Sequence, residues 1–312
     1  MPSFCRHNHL IQNCTICARE QNFEARPVVS SSAPKSSQPA EHVTRERPAG
    51  TRRAKSPLAA GAAGGSGRGV RVRRLARGVE DGFRSPLVPG LKSSVDAERL
   101  AEEIAFATWR LDVMEAVAAG DQVADAHPIW SEIARPGDIE QRTELAFSTV
   151  VAGPRGVGSE ERADEVLSAY HAWAERAGSQ QAAFTGEAVW TPERRFERVY
   201  ERLQFGGLGR DTRFELLTLL GRLGVYELRA AKLFLSGENE ATWAAKRALG
   251  IGDPLLLERR AAELARVCDA PVEAFDLAFH NWGSGARVTD GLPEDAEGDE
   301  LVLEQARAAL RL

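Results

Sequence analysis

The sequence predicts an all-α protein in which a large helical domain follows a basic N-terminal region. After residue 80, apolar residues recur at three- and four-residue steps, a spacing that places them on one face of a helix. Alternating apolar and polar residues, which indicate strands, are almost absent there. Proline follows a capping residue at Thr191-Pro192 and Asp253-Pro254, as it does at the start of many helices.

The apolar stripes predict the helices in order along the chain. They cover 100–117, 166–173, 196–203 and 214–220, followed by segments near 240–249, 255–268 and 272–282 and by a short terminal helix after an acidic loop at 289–300. We therefore expect one all-helical domain over 80–312, with a hairpin at 205–213.

Charge divides the chain into two contrasting parts. Residues 1–79 hold 14 Lys/Arg against 4 Asp/Glu, and the remaining residues hold 26 against 41. Segment 21–79 is rich in Ser, Pro, Ala, Gly and Arg, and such a composition buries too little apolar surface to fold; we expect a disordered basic linker. No apolar run is long enough to span a bilayer, and the N-terminus lacks the apolar core of a signal peptide. We expect a cytoplasmic protein that does not bind membranes.

A cluster of cysteine and histidine residues opens the chain. Zinc prefers four tetrahedral thiolate or imidazole ligands, and a Cys-x2-Cys pair supplies two of them from one turn. The sequence predicts a structural zinc knuckle over residues 1–20, with the ligands Cys5, His9, Cys14 and Cys17. His7 is an alternative to His9, and the bland alternative is a chance cluster of free thiols. The fourth cysteine, Cys268, is expected in the core.

The basic N-terminal arm suggests a polyanionic partner. Cationic segments gain affinity for DNA by releasing counterions from phosphate. No aromatic residue lies between Phe23 and Phe83, so such binding would be electrostatic and would not read sequence. A protein partner of the arm, or a role in keeping an acidic domain soluble, are the alternatives. Because the domain is acidic, any DNA contact on it must be a local arginine patch.

The segment from Phe205 to Arg213 resembles a helix-hairpin-helix turn. Gly207 and Gly209 let the backbone turn sharply and approach a ligand, and the helix that follows presents free N–H groups to a phosphate. Arg210 and Arg213 are expected to flank that phosphate. A plain tight turn between helices is the alternative. A second Gly-x-Gly at 250–252 precedes Asp253, which is either a simple N-cap or part of another phosphate-facing helix start.

Several blocks of the chain resemble the α-glutamyl/putrescinyl thymine pyrophosphorylase-like family, in particular its third clade. They are Arg213–Ala230, Ala244–Arg260, Phe279–Gly283 and the Cys/His opening Phe4–Cys17. The resemblance implies a helical fold akin to helix-hairpin-helix DNA glycosylases. It also implies a link to hypermodified thymine, in which an activated 5-hydroxymethyl group receives glutamate or putrescine.

The same resemblance directs attention to a carboxylate about twenty residues after the hairpin, facing a base flipped from the duplex. No Asp lies at that distance; Glu227 is the nearest carboxylate, and its apolar neighbours suggest a partly apolar setting that could raise its pKa. The alternative is an ordinary exposed helix residue. Asp253 is the second candidate, and Asp276 with His280 on one helix face is the third, unless that histidine is only a core residue.

These observations favour an enzyme that acts on a modified pyrimidine of DNA, at its 5-substituent or its glycosidic bond. Either a transferase or pyrophosphorylase-like activity or a glycosylase-like activity fits this description. P-loop, Gly-x-Ser-x-Gly and His-Glu-x-x-His motifs are absent from the sequence, which argues against P-loop kinases, serine hydrolases and zincins. The rival hypothesis is a non-catalytic DNA- or protein-binding helical module with a zinc knuckle.

Overall fold

The computed structural model describes residues 78–123, 126–289, 291–293 and 296–312. Within these residues the chain forms eleven helices and no strand, which confirms the all-α prediction. The helices are α1 (Ser94–Ala119), α2 (Pro128–Ala134), α3 (Ile139–Ala152), α4 (Glu160–Arg176), α5 (Gln180–Thr185), α6 (Pro192–Arg202), α7 (Arg210–Arg222), α8 (Glu240–Leu249), α9 (Pro254–Val267), α10 (Ala274–Ser284) and α11 (Glu300–Leu310). The predicted zinc knuckle, and all of the predicted linker except residues 78–79, lie outside the described residues.

Side-chain caps define where most of these helices begin. In nine of the eleven described helices, the N-cap side chain accepts a hydrogen bond from a first-turn N–H group. Thr191 and Asp253 are two of these caps, each followed by proline as predicted. The exceptions are α7, capped by Gly209, and α10, capped by Glu273, neither of which has a side-chain cap hydrogen bond.

The helices pack in two groups that are joined by a contact between α1 and α7. In the first, α10 contacts both α1 and α8, α11 also packs on α1, and α9 contacts α8. In the second, α3 contacts α4 and α7, and α6 contacts α5 and α7. The apolar faces predicted from the sequence form the core: Leu100, Ile104, Tyr170, Phe196 and Leu217 are all fully buried.

Helix α7 is buried on nearly every side. Phe214, Leu217 and Leu220 are buried as predicted. The other two leucines of the helix are also buried, and so are the charged residues Arg210, Glu215 and Arg222. A charged side chain inside a core costs several kcal/mol unless it is paired and hydrogen-bonded. The partners of Arg210 and Glu215 therefore locate a site that the hydrophobic periodicity does not show.

Three helices were not predicted: α2, α3 and α5. Two of these are short, with seven residues in α2 and six in α5, and short helices carry too few apolar repeats to be recognised.

The longest helix, α1, has 26 residues but includes charged positions along its length. In the part of the chain that the structure describes, no helix has the length and apolarity needed to cross a membrane.

Candidate functional site

The glycine turn between α6 and α7 adopts a conformation that only glycine fits. Gly207 has φ +85°, and a Cβ atom at this position would lie 2.5 Å from Cγ2 of Val166 on α4. Helix α7 then starts directly at Arg210, after Gly209. Because glycine has no capping side chain, the first-turn N–H groups of α7 have neither an intrahelical acceptor nor a side-chain cap.

This turn borders a cavity of about 860 Å³, which we call the glycine-turn cavity. Its wall combines the turn, the first residues of α7 and α4, and the loop that precedes α8. Four arginines and three carboxylates line it: Arg155, Arg162, Arg210, Arg213, Glu165, Asp211 and Glu238. The free end of a helix dipole and an excess of arginine side chains make this wall suited to an anion.

The two arginines predicted to flank a phosphate behave differently. Arg213 is half-buried, and its guanidinium lies 4.6 Å from the ring centroid of Tyr200, a cation–π contact that leaves its edge on the cavity. Arg210 also lines the cavity, but its side chain is buried and bonds to Asp276 and to the carbonyl of Leu233. The buried carboxylate draws Arg210 inward, so its charge is already partly matched.

Beneath the cavity, six charged side chains form a continuous series of ion pairs, which we call the buried charge chain. In order they are Arg110, Glu215, Arg155, Asp276, Arg210 and Asp211. The Arg155–Asp276 and Arg210–Asp211 pairs have N–O distances of 2.7 and 2.9 Å. Three positive and three negative groups alternate, which is how a protein tolerates so many charges in its interior.

The two interior carboxylates of the buried charge chain, Glu215 and Asp276, stay ionised. Burial alone would raise the pKa of Glu215, but attraction to Arg110 and Arg155 outweighs it and lowers that pKa. For Asp276 burial likewise opposes ionisation, and the charges of Arg210 and Arg155 lower its pKa in the same way. Neither group is suited to release or store a proton near neutral pH; both orient the arginines around them.

At the end of the buried charge chain that borders the glycine-turn cavity, Asp211 lies near a histidine. Asp211 is mostly buried, and its Oδ2 lies 3.9 Å from Nδ1 of His280 on α10. Burial lowers the pKa of His280 to about 4, with the charge of Arg155 acting in the same direction, so the ring is neutral at pH 7. Its Nδ1 is buried with no hydrogen-bond partner among the described residues. The sequence singled out Asp276 and His280; the fold adds Asp211.

The other end of the buried charge chain, at Arg110, borders a second cavity of about 400 Å³, which we call the Trp130 cavity. Arg110, Glu215 and Arg155 form the charged part of its wall, and His127, Thr149 and Thr289 add polar groups. Apolar side chains that include Trp130, Val150 and Leu219 line the remainder. Arg155 lines both cavities. Arg155 is thus shared by two cavities of different character.

The two carboxylates predicted to be catalytic lie elsewhere. Glu227 is in the loop after α7, not on a helix, and its side chain is 81% exposed and paired with Arg195 at 3.0 Å; the expected apolar setting is therefore wrong, because its apolar neighbours point inward and Glu227 outward. Asp253 caps α9 by accepting from Leu256 N–H at 2.9 Å, which confirms the capping alternative. It borders another groove beside Tyr200.

The buried charge chain was largely missed by the sequence analysis. Arg110 interrupts the apolar stripe of α1, and Glu215 lies within the apolar run of α7. Each could have been flagged as a charge inside a helix with many apolar residues. For Arg155, in the loop after α3, we find no such signal. Cys268 is buried as predicted, and burial raises its pKa to about 12.

The predicted zinc ligands Cys5, His9, Cys14 and Cys17, with the alternative His7, lie outside the described residues. Among the residues that are described, His, Cys, Asp and Glu side chains form no group of three or more that could hold a metal ion. The zinc knuckle therefore stays a prediction from ligand chemistry and spacing.

Comparisons with known proteins relate part of the chain to one family. A search of curated proteins finds no match, and a search of solved structures finds none either. The family model described as alpha-glutamyl/putrescinyl thymine pyrophosphorylase clade 3 matches residues 157–269. This segment begins at Val157, in the wall of the glycine-turn cavity, and runs through α9. It includes most of the residues that line that cavity. The match confirms, over residues 157–269, the resemblance to this family that was drawn from the sequence.

Proposed function

We propose that the protein is an enzyme that acts on a modified pyrimidine of DNA, of the hypermodified thymine or 5-hydroxymethyluracil type. The family match supports a role in thymine modification in general. The observation that carries the proposal is the glycine-turn cavity. It combines an uncapped helix start, a local excess of arginine and a mostly buried carboxylate, and its wall lies mostly within the segment that matches the family.

In this proposal the cavity holds a phosphate of the substrate. The first-turn N–H groups of α7 donate to the phosphate oxygens, and the close approach depends on Gly207 and Gly209 lacking side chains. Arg213, fixed against Tyr200, and the exposed Arg162 supply the charge. Arg210 donates a hydrogen bond to Asp211 and thereby orients its carboxylate.

We assign the acid/base role to Asp211, because it lines the cavity and its Oδ2 lies 3.9 Å from Nδ1 of the neutral His280. A carboxylate beside a buried neutral imidazole can pass a proton to or from a bound substrate without exposing it to water. Glu227 and Asp253, the candidates from the sequence, lie outside this cavity and are the alternatives to be tested with it.

We further propose one structural zinc per chain, held by Cys5, Cys14, Cys17 and either His9 or His7. Three thiolates and one imidazole form a donor set that zinc prefers. The basic arm that follows would strengthen DNA binding through phosphate contacts. A protein partner for the arm is the alternative.

The test combines binding and product analysis with full-length protein. Plain duplex DNA and duplex DNA containing 5-hydroxymethyluracil are titrated across a salt series, and the bases recovered after incubation are analysed by mass spectrometry. We expect preference for the modified duplex and a changed base or a released base as product. Arg213→Ala should weaken binding about tenfold or more, since charge-assisted contacts contribute about 1.5–3 kcal/mol. Asp211→Asn should bind normally and lose product.

Arg260→Ala is the matched control, because Arg260 is an exposed arginine on α9 paired with Glu263. A protein that binds modified DNA but never changes it would favour the rival function, a non-catalytic binding module. If neither duplex binds at low salt, both DNA hypotheses are refuted. Product formation that survives Asp211→Asn but not Glu227→Ala would return the catalytic role to Glu227.

A further inference from the structure

The Trp130 cavity has a polar wall that is built from buried charges. Arg110, Glu215 and Arg155 are only 2%, 5% and 7% exposed, and all three line this cavity. Each arginine donates to one oxygen of Glu215. Removing these charged groups from water costs free energy. Charged groups held in this way beside a cavity are typical of functional sites.

The wall itself holds two arginines and one carboxylate, and their charges are matched within the buried charge chain to which they belong. The buried charge chain holds three arginines and three carboxylates in all, so an ionic ligand would bring an unmatched charge into the interior. An uncharged polar ligand brings no such penalty. The volume, about 400 Å³, lies within the range typical of small-molecule sites.

Two groups on the wall define what such a ligand should present. Each oxygen of Glu215 accepts one arginine N–H group, and a carboxylate oxygen can accept a second bond. Glu215 can therefore accept from an N–H group of the ligand. His127 accepts the Ile129 N–H at Nδ1, at 3.2 Å, so Nε2 is the ring nitrogen that can donate to a carbonyl.

Apart from Thr149 and Thr289, the remaining side chains of the wall are apolar and suit a flat ring. Ile129, Trp130, Val150 and Leu219 contribute aliphatic and aromatic surface. From these features we infer that the Trp130 cavity binds an uncharged planar heterocycle with N–H and carbonyl groups on its edge, namely a pyrimidine base of the uracil type. The choice of a pyrimidine among such rings rests on the proposed function. Arg155 lines both this cavity and the proposed phosphate site, and this observation is independent of that function.

The test uses free bases and full-length protein, with no DNA present. Thymine is titrated by isothermal calorimetry or ligand-observed NMR, and we expect saturable binding with a Kd of about 1 mM or tighter. 1,3-Dimethyluracil has the same ring without N–H groups, and orotate has the same ring with a negative charge. Both should bind at least about tenfold more weakly. Equal binding of thymine and 1,3-dimethyluracil, or no saturable thymine binding, would overturn the inference.

A cavity-filling variant places the binding site. Substitution of Glu215 would disturb two ion pairs, so Ile129 is the better position: it is half-buried at the edge of the cavity. Ile129→Trp should abolish thymine binding, whereas Leu301→Trp, at an exposed leucine of α11, should leave it unchanged. Thymine binding that survives Ile129→Trp would refute the placement.

This experiment separates the inference from the function on which it rests. If DNA containing 5-hydroxymethyluracil is processed but thymine does not bind, or Ile129→Trp leaves binding intact, the inference fails and the proposed function stands. If thymine binds and Ile129→Trp removes it, but no modified DNA is bound or changed, the cavity assignment stands and the proposed function fails.

Discussion

Replacing Asp276 by Asn removes the carboxylate shared by two buried arginines. Asp276 is 1% exposed and accepts from Arg155 at 2.7 Å and from Arg210. The variant keeps the shape of the side chain and one acceptor oxygen, but it leaves the buried charge chain with one positive charge too many. Removing one partner of a buried pair typically costs about 3–5 kcal/mol. Because Asn still accepts one bond, we expect the lower end of this range.

A loss of about 3 kcal/mol corresponds to a roughly 150-fold change in the unfolding equilibrium, at about 1.4 kcal/mol for each factor of ten. For a protein of this size it should lower Tm by about 6–12 °C. The assay is urea unfolding of the full-length protein, followed by circular dichroism and by tryptophan fluorescence. Coincident transitions would justify a single free energy of unfolding, and an unchanged m-value would show that the native and unfolded states were otherwise unaltered.

Glu227→Gln is the matched control, because it also breaks an arginine–carboxylate pair. The Glu227 side chain is 81% exposed, and its partner Arg195 also donates to the carbonyls of Thr185 and Trp190, at 2.7 and 3.2 Å. Pairs of this kind contribute about 0–1 kcal/mol. If Asp276→Asn costs less than about 1 kcal/mol, or no more than Glu227→Gln, the reasoning from buried charge is refuted.

Three further predictions follow from individual residues. Burial lowers the pKa of His280 from 6.5 to about 4, so between these pH values the unfolded chain binds a proton that the folded protein excludes. Stability on the order of 3 kcal/mol should therefore be lost as the pH falls from about 6.5 to about 4. In pH-dependent unfolding, His280→Gln should remove this slope, whereas His171→Gln, at a histidine that is 44% exposed, should not. Gly207→Ala should lower the free energy of unfolding by about 1–3 kcal/mol, since the φ of Gly207 is +85° and an added Cβ would meet a neighbouring side chain. Gly206→Ala is the control: no atom lies within 4 Å of its added Cβ, so it should cost less than about 1 kcal/mol. Equal losses for the two variants would contradict this reasoning. Metal analysis of unchelated full-length protein should find about one zinc per chain and Cys14→Ser should abolish it, and less than about half an equivalent in the unsubstituted protein would refute the zinc knuckle.

The amino-acid sequence was sufficient to predict most of the fold. Apolar residues at helical spacing define the core faces of α1, α4, α6 and α7 because burying such a stripe is the main source of helix stability in water. Local chemistry also placed the helix starts at Thr191 and Asp253 and the glycine turn before α7, since caps and positive φ angles depend on residues close together in the chain. The resemblance over residues 157–269 likewise rests on contiguous sequence.

The candidate site was decided by tertiary structure. Arg110, Arg155, Glu215 and Asp276 lie on three different helices and one loop, 60 or more residues apart for each bonded pair, and no local pattern states that their side chains converge. Glu227 illustrates the converse: its apolar neighbours suggested a shielded carboxylate, yet burying those neighbours turned Glu227 toward solvent. Local spacing determines which residues form a helix and which face is apolar. Which charges share the interior depends on how the helices pack, because only long-range packing removes a side chain from water and brings its partner within bonding distance.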